Sequence, residues 1–98
     1  FTAVNTNVLT CLNTSDGSVA YGPLRLQELA NIYASPVAAA GRIYFTSREG
    51  VTTVVSAADP ATLLATNRLS EGIDATPVLV DRQIYLRGTE HLYCIEAE

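Results

Sequence analysis

The sequence predicts an all-β fold in which one antiparallel unit is used more than once. Three observations carry that expectation. First, Ile32-Tyr33-Ala34-Ser35-Pro36-Val37 returns as Ile73-Asp74-Ala75-Thr76-Pro77-Val78, and Arg42-Ile43-Tyr44-Phe45 returns as Gln83-Ile84-Tyr85-Leu86, both 41 residues on. A fixed offset of that size marks a stacked supersecondary unit, so the fold is an array of units and not one closed core. Second, short β-branched and aromatic runs recur: Val8 to Leu12, Ile43 to Thr46, Val51 to Val55, and Ile84 to Leu86. Such residues suit a pleated, half-buried surface. Third, turn residues separate the runs: Ser15-Asp16-Gly17, Ala40-Gly41, Glu49-Gly50, Ala58-Asp59-Pro60, Glu71-Gly72 and Asp81. Short loops between short strands give an antiparallel meander.

Phe1-Thr2 matches Phe45-Thr46, which places Phe1 in the middle of a second strand. Thr10-Cys11-Leu12-Asn13 matches both Thr53-Val54-Val55-Ser56 and Tyr93-Cys94-Ile95-Glu96, so all three are third strands. The fourth strand of this first unit runs from about Ser18 to Leu26. The middle unit has four strands, near residues 34–39, 42–47, 51–57 and 62–68. The last has three, near 75–80, 83–87 and 92–96. One segment is ambiguous. Leu24 to Tyr33 carries Leu26, Leu29 and Ile32 or Tyr33 at the spacing of a short amphipathic helix, although an irregular connection suits its place between two units better.

Four-stranded antiparallel units of about 40 residues suggest the blades of a β-propeller. Each blade packs on both faces. That accounts for Val54-Val55 and Ile43-Tyr44-Phe45, which do not alternate cleanly with polar residues. Pro36 and Pro77 fit a strand start or an edge strand, since proline donates nothing to a ladder. The expected division is residues 1–27 as the end of one blade, 32–69 as a complete blade, and 73–96 as a final blade lacking its outer strand. A start inside a strand, and the lack of Met, lead us to expect a piece of a larger protein. At this blade size 98 residues do not close a ring, so exposed faces and strand edges are expected to drive self-association.

Composition narrows the function classes. The chain is 48% apolar and 16% charged, with a net charge of −4. Its six cations are all arginines (25, 42, 48, 68, 82 and 87), and they are scattered. Nucleic-acid binding needs a positive stripe, so a nucleic-acid partner is not expected. No apolar run approaches the ~18 residues of a membrane-spanning helix, and no basic start leading into an apolar stretch marks a signal peptide. Cys11 and Cys94 hold equivalent places two units apart. That exceeds the ~7 Å Cα separation a disulfide tolerates, so both are expected to be buried free thiols.

Ala34-Ser35-Pro36-Val37 succeeded by Gly41-Arg42-Ile43-Tyr44-Phe45, and Ala75-Thr76-Pro77-Val78 succeeded by Ile84-Tyr85-Leu86, resemble the pyrroloquinoline-quinone-type β-propeller repeat. Cys11 to Tyr21 resembles that family's docking motif. There the family has an Asp, a Thr-Gly pair and a Trp; here Asn13, Asp16-Gly17 and Tyr21 stand in their places. The next unit keeps only Asp59-Pro60 at the turn. The resemblance covers essentially the whole chain. It implies a ring of seven or eight blades, of which this chain is a C-terminal portion of about two and a half. It also implies a cell-envelope or periplasmic location. The family includes quinone-dependent dehydrogenases, which hold quinone and calcium on the propeller axis. It also includes members without quinone that serve as scaffolds, among them lipoproteins of outer-membrane barrel assembly.

No residue pattern here points to catalysis. His91 is the one histidine, beside Glu90 in a short loop. One His and one Glu fall short of the three or four ligands of a zinc site. No Gly-x-Ser-x-Gly elbow and no glycine-rich phosphate cradle occur in the sequence. Asp16, Asp59, Glu71 and Asp74 lie in or beside turns, where carboxylates cap backbone amides. The expected function is therefore a non-catalytic scaffold with no cofactor and no metal. The alternative is the C-terminal part of a quinoprotein dehydrogenase. The equivalent loops Arg48-Glu49-Gly50 and Arg87-Gly88-Thr89-Glu90 supply the candidate partner contacts: Arg48, Glu49, Arg87 and Glu90.

Overall fold

The structure is a computed structural model that describes residues 2–3, 8–26, 31–58 and 62–96. All its regular elements are strands, and no helix occurs among the described residues. They are β1 (Thr2–Ala3), β2 (Val8–Leu12), β3 (Val19–Arg25), β4 (Val37–Ala39), β5 (Arg42–Thr46), β6 (Val51–Ser56), β7 (Leu63–Arg68), β8 (Val78–Val80), β9 (Gln83–Arg87) and β10 (Leu92–Glu96). They form three antiparallel sheets ordered β1-β2-β3, β4-β5-β6-β7 and β10-β9-β8.

Within each sheet every strand pairs with its neighbour in sequence, as short polar turns dictate. The β2–β3 turn is closed by Asn13 N–H to Ser18 O (2.8 Å) and Gly17 N–H to Asn13 O (2.8 Å). Asp16 Oδ1 accepts from both Ser18 N (2.9 Å) and Ser18 Oγ (2.7 Å), the capping expected of a turn carboxylate. The β6–β7 turn is held at its base by Ser56 N to Thr62 O and Thr62 N to Ser56 Oγ, each 2.8 Å. Asp59-Pro60, Phe1 and Leu29 lie outside the described residues. Ile32 and Tyr33 are irregular chain.

β4 and β8 are shorter than the sequence suggests. They begin directly after Pro36 and Pro77, which cannot donate to the ladder. Each is an edge strand of its sheet, and the two lie beside one another. Ser35 N–H donates to Thr76 Oγ1 at 3.0 Å, so two positions 41 residues apart meet at the start of neighbouring edge strands.

The middle sheet is covered on both sides. Register pairs Ile43 with Val55 and Phe45 with Thr53 on one face, and Tyr44 with Val54 and Thr46 with Thr52 on the other. The first face joins Leu9 and Leu26 of the β1-β2-β3 unit in a buried cluster of Leu9, Leu26, Ile43, Phe45, Val51 and Val55. Phe45, Leu9 and Val55 are fully buried, which at ~1.5–3 kcal/mol per side chain is the main stabilisation of this joint. The second face meets the third sheet more loosely. Tyr44, Val54 and Leu69 face Ile84, Leu86 and Ile95 across a cleft of about 250 Å³. Two-sided packing is the physical reason for the apolar runs in β5 and β6.

One expectation is corrected here. Both cysteines are free, but only Cys11 is half-buried, and Cys94 is exposed. Cys94 pairs with Tyr85 on the face of the third sheet turned away from the middle sheet. Nothing among the described residues covers that face.

Candidate functional site

The charged side chains gather where the β5–β6 and β9–β10 turns meet the link between β7 and β8. The backbone builds this rim twice. Arg48 N–H donates to Asn31 O (3.0 Å), and Thr89 N–H donates to Gly72 O (3.1 Å), with donor and acceptor each displaced by 41 residues. Ser47 N–H to Val51 O and Gly88 N–H to His91 O close the two turns, both at 2.8 Å. Ile73 N–H to Arg48 O (3.1 Å) stitches the last unit to the middle one, and the Ile73–Gly88 bridge ties the start of the last unit to its own β9–β10 turn.

On this frame Arg48 reaches across the joint. Its Nε lies 2.8 Å from Asp74 Oδ1, and its guanidinium carbon sits 4.3 Å above the centre of the Tyr33 ring. The Asp74 carboxylate holds the guanidinium pKa above its ordinary value. Glu49 Oε1 accepts from Asn31 Nδ2 at 3.0 Å. Two of the four expected contact residues are thus tied into the fold itself. Arg87 and Glu90 are exposed, and neither makes an ion pair among the described residues.

Glu71 is the residue that sequence reasoning undervalues. Its place beside a turn predicts a cap, and it is one, but the turn it caps belongs to the next unit. Oε1 accepts from Glu90 N (3.1 Å) and His91 N (2.9 Å), and Oε2 lies 2.8 Å from His91 Nδ1. Its side chain is only 11% exposed. The His91 hydrogen bond, helped by the two amides and opposed by burial, pulls the Glu71 pKa down to about 2. Burial and the nearby Glu71 raise Tyr93, whose ring lies 6.0 Å from that of His91. The one available signal is Gly88: a Cβ there would collide with the Glu71 carboxylate.

Glu71, Glu90 and His91 each place a ligand-type atom within 4.8 Å of the others, so His91 has a second carboxylate neighbour that spacing alone does not reveal. Both Glu71 oxygens already serve the turn, however, and this arrangement is that of a cap. A shallow hollow of about 240 Å³ between Gly72, Asp74, Ala75, Arg87, Gly88 and Thr89 completes the rim. No helix of the described residues is long and apolar enough to cross a membrane. No protein-family model matches the chain, and no curated protein matches it.

Proposed function

We propose that the chain is a stretch of a pyrroloquinoline-quinone-type β-propeller that holds a protein partner and catalyses nothing. The observation that supports this best is the doubled rim, in which the Arg48 N–H to Asn31 O bond recurs 41 residues on as Thr89 N–H to Gly72 O, together with the meeting of the equivalent positions Ser35 and Thr76 at neighbouring edge strands. Successive propeller blades are four-stranded antiparallel sheets repeated around a central channel, and a unit used again 41 residues on fits that plan. On this reading residues 1–27 end one blade, 32–69 make a whole one and 73–96 begin the last, and the protein works at the cell envelope.

The contact residues of this proposal are Arg87 and Glu90, which the fold leaves unoccupied. Arg48 and Glu49 hold the rim in shape. A photo-reactive residue at position 87 should cross-link one partner from envelope extract, and the same residue at Ala65 on the exposed strand β7 should not. Equal labelling from both positions would overturn the scaffold reading. The quinoprotein alternative is addressed by titrating the chain with pyrroloquinoline quinone and calcium. The scaffold reading predicts an unaltered quinone absorption spectrum and no dye reduction.

A further inference from the structure

We propose that the cleft between the middle and third sheets binds a small uncharged aromatic molecule, whose ring takes the part that Phe45 plays in the joint between the first and middle sheets. The two joints are built from equivalent residues. Ile43 and Val55 are register partners on the face turned to the first sheet. Ile84 and Ile95 are register partners on the face turned to the middle one. Two residues further along each strand, on the same face, stand Phe45 and Leu86. The Thr46–Thr52 and Arg87–Leu92 pairs end the two ladders, so His91 stands where Val51 does. The first joint therefore has a phenyl ring and a valine where the second has a leucine and a histidine.

The packing follows from that exchange. Ile43, Phe45, Val51 and Val55 are at most 3% exposed. Ile84 is only half-buried, Ile95 is 46% exposed, and a cleft of about 250 Å³ stays open. Want of an outer strand beside β10 does not explain the opening. The middle unit has such a strand, β7, which is exposed at every position and gives nothing to the buried cluster of the first joint. That joint is closed by β5 and β6, whose counterparts β9 and β10 are both present. An apolar cavity of about 150 Å³ suffices for benzene, so this cleft has room for a ring and a substituent. Its walls are Tyr44, Val54, Leu69, Ile84, Leu86 and Ile95, with the Asn67 amide among them and no charged side chain. Such walls favour an uncharged ligand, and the Tyr44 ring gives a flat one a surface to stack on. A second hollow of about 340 Å³ shares Tyr44, Ile84 and Ile95 and lies between the β4–β5 and β8–β9 turns, which supplies a way in. The inference rests on the unequal joints and stands whether or not the rim holds a partner.

Methyl-resolved nuclear magnetic resonance of the chain titrated with toluene tests it. The methyls of Val54, Leu69, Ile84, Leu86 and Ile95 should shift saturably, and those of Leu9 and Leu26 in the closed joint should not. Leu86→Phe, which gives the second joint the residue of the first, should abolish the saturable shifts. Leu64→Phe, on exposed β7 and outside the cleft, should keep them. Absence of saturable shifts in the wild type would overturn the proposal. So would shifts of equal size at the exposed methyls of Val19 and Leu63, since that is general adhesion of a ring to apolar surface. A folded Leu86→Phe that still binds would also overturn it. Should Leu86→Phe fail to fold, the wild-type map decides alone.

Discussion

Replacing Thr53 by valine should stabilise this protein. Thr53 lies in β6 opposite Phe45, on the face shared with Val51 and Val55, and is 0% exposed. Its Oγ1 is buried without a hydrogen-bond partner among the described residues. An unsatisfied buried hydroxyl costs about 1–3 kcal/mol, because the hydrogen bond it made to water in the unfolded chain is not replaced. Valine has nearly the same shape and the same χ1 stiffness, and it exchanges the hydroxyl for a methyl that prefers this core. The net gain should be about 1–2 kcal/mol, and in a chain of this size each ~1 kcal/mol raises Tm by about 4–8 °C. Thr46 is the control. It too is 0% exposed, but its Oγ1 lies 3.1 Å from Thr52 Oγ1, so Thr46→Val should cost roughly 0.5–1.5 kcal/mol. Urea unfolding with unchanged m-values reads both. A destabilised Thr53→Val, or equal gains at both sites, would refute the reasoning.

The rim yields three further outcomes. Gly50 has φ +86, and a Cβ there would sit 2.9 Å from Leu69 O and closer still to Glu71 O; Gly50→Ala should cost ~3 kcal/mol or more in urea unfolding, since backbone must move. Glu71 titrates near 2 when folded, below an ordinary carboxylate. Its contribution to stability is therefore complete above the unfolded value and disappears as pH falls through about 2; acid unfolding of Glu71→Gln should lack that limb of the profile. The Arg48–Asp74 pair is about half exposed on both sides (47% and 58%), so Asp74→Asn should change stability by only ~0–1 kcal/mol, with the difference shrinking in high salt.

Strands are the most legible part of this sequence, because their signals are local. β5, β6, β9 and β10 are β-branched or aromatic runs bounded by Gly, Asp or Glu-Gly turns, and they lie within a residue or so of where those signals put them. β4 and β8 come out too long from sequence, because the apolar stretches around Ala34 and Ala75 begin before the prolines that delay the ladder. The repeat offset also makes the 34–37 and 75–78 segments near neighbours, and Ser35 touching Thr76 is the consequence. The burial of Cys94 is illegible for a non-local reason. Its alignment with Val54 fixes which face it occupies, but whether a sheet lies over that face depends on the next unit of the stack. The rim is half legible. Arg48, Glu49, Arg87 and Glu90 are visibly turn residues, yet nothing in sequence spacing couples Arg48 to Asp74 or Glu71 to His91. Those pairs are 26 and 20 residues apart and meet only because one sheet stacks on the next.

The central claim is that consecutive sheets stack face to face, with each side of the middle one given to a different neighbour. Isotope-edited nuclear Overhauser spectroscopy reads this directly from two adjacent rings. The Phe45 ring should show cross-peaks to the methyls of Leu9 and Leu26 and none to those of Ile84 and Ile95, and the Tyr44 ring should show the reverse. Cross-peaks from both rings to the same set of methyls would contradict the stacking, and with it the repeat-based account of the rim and of the cleft.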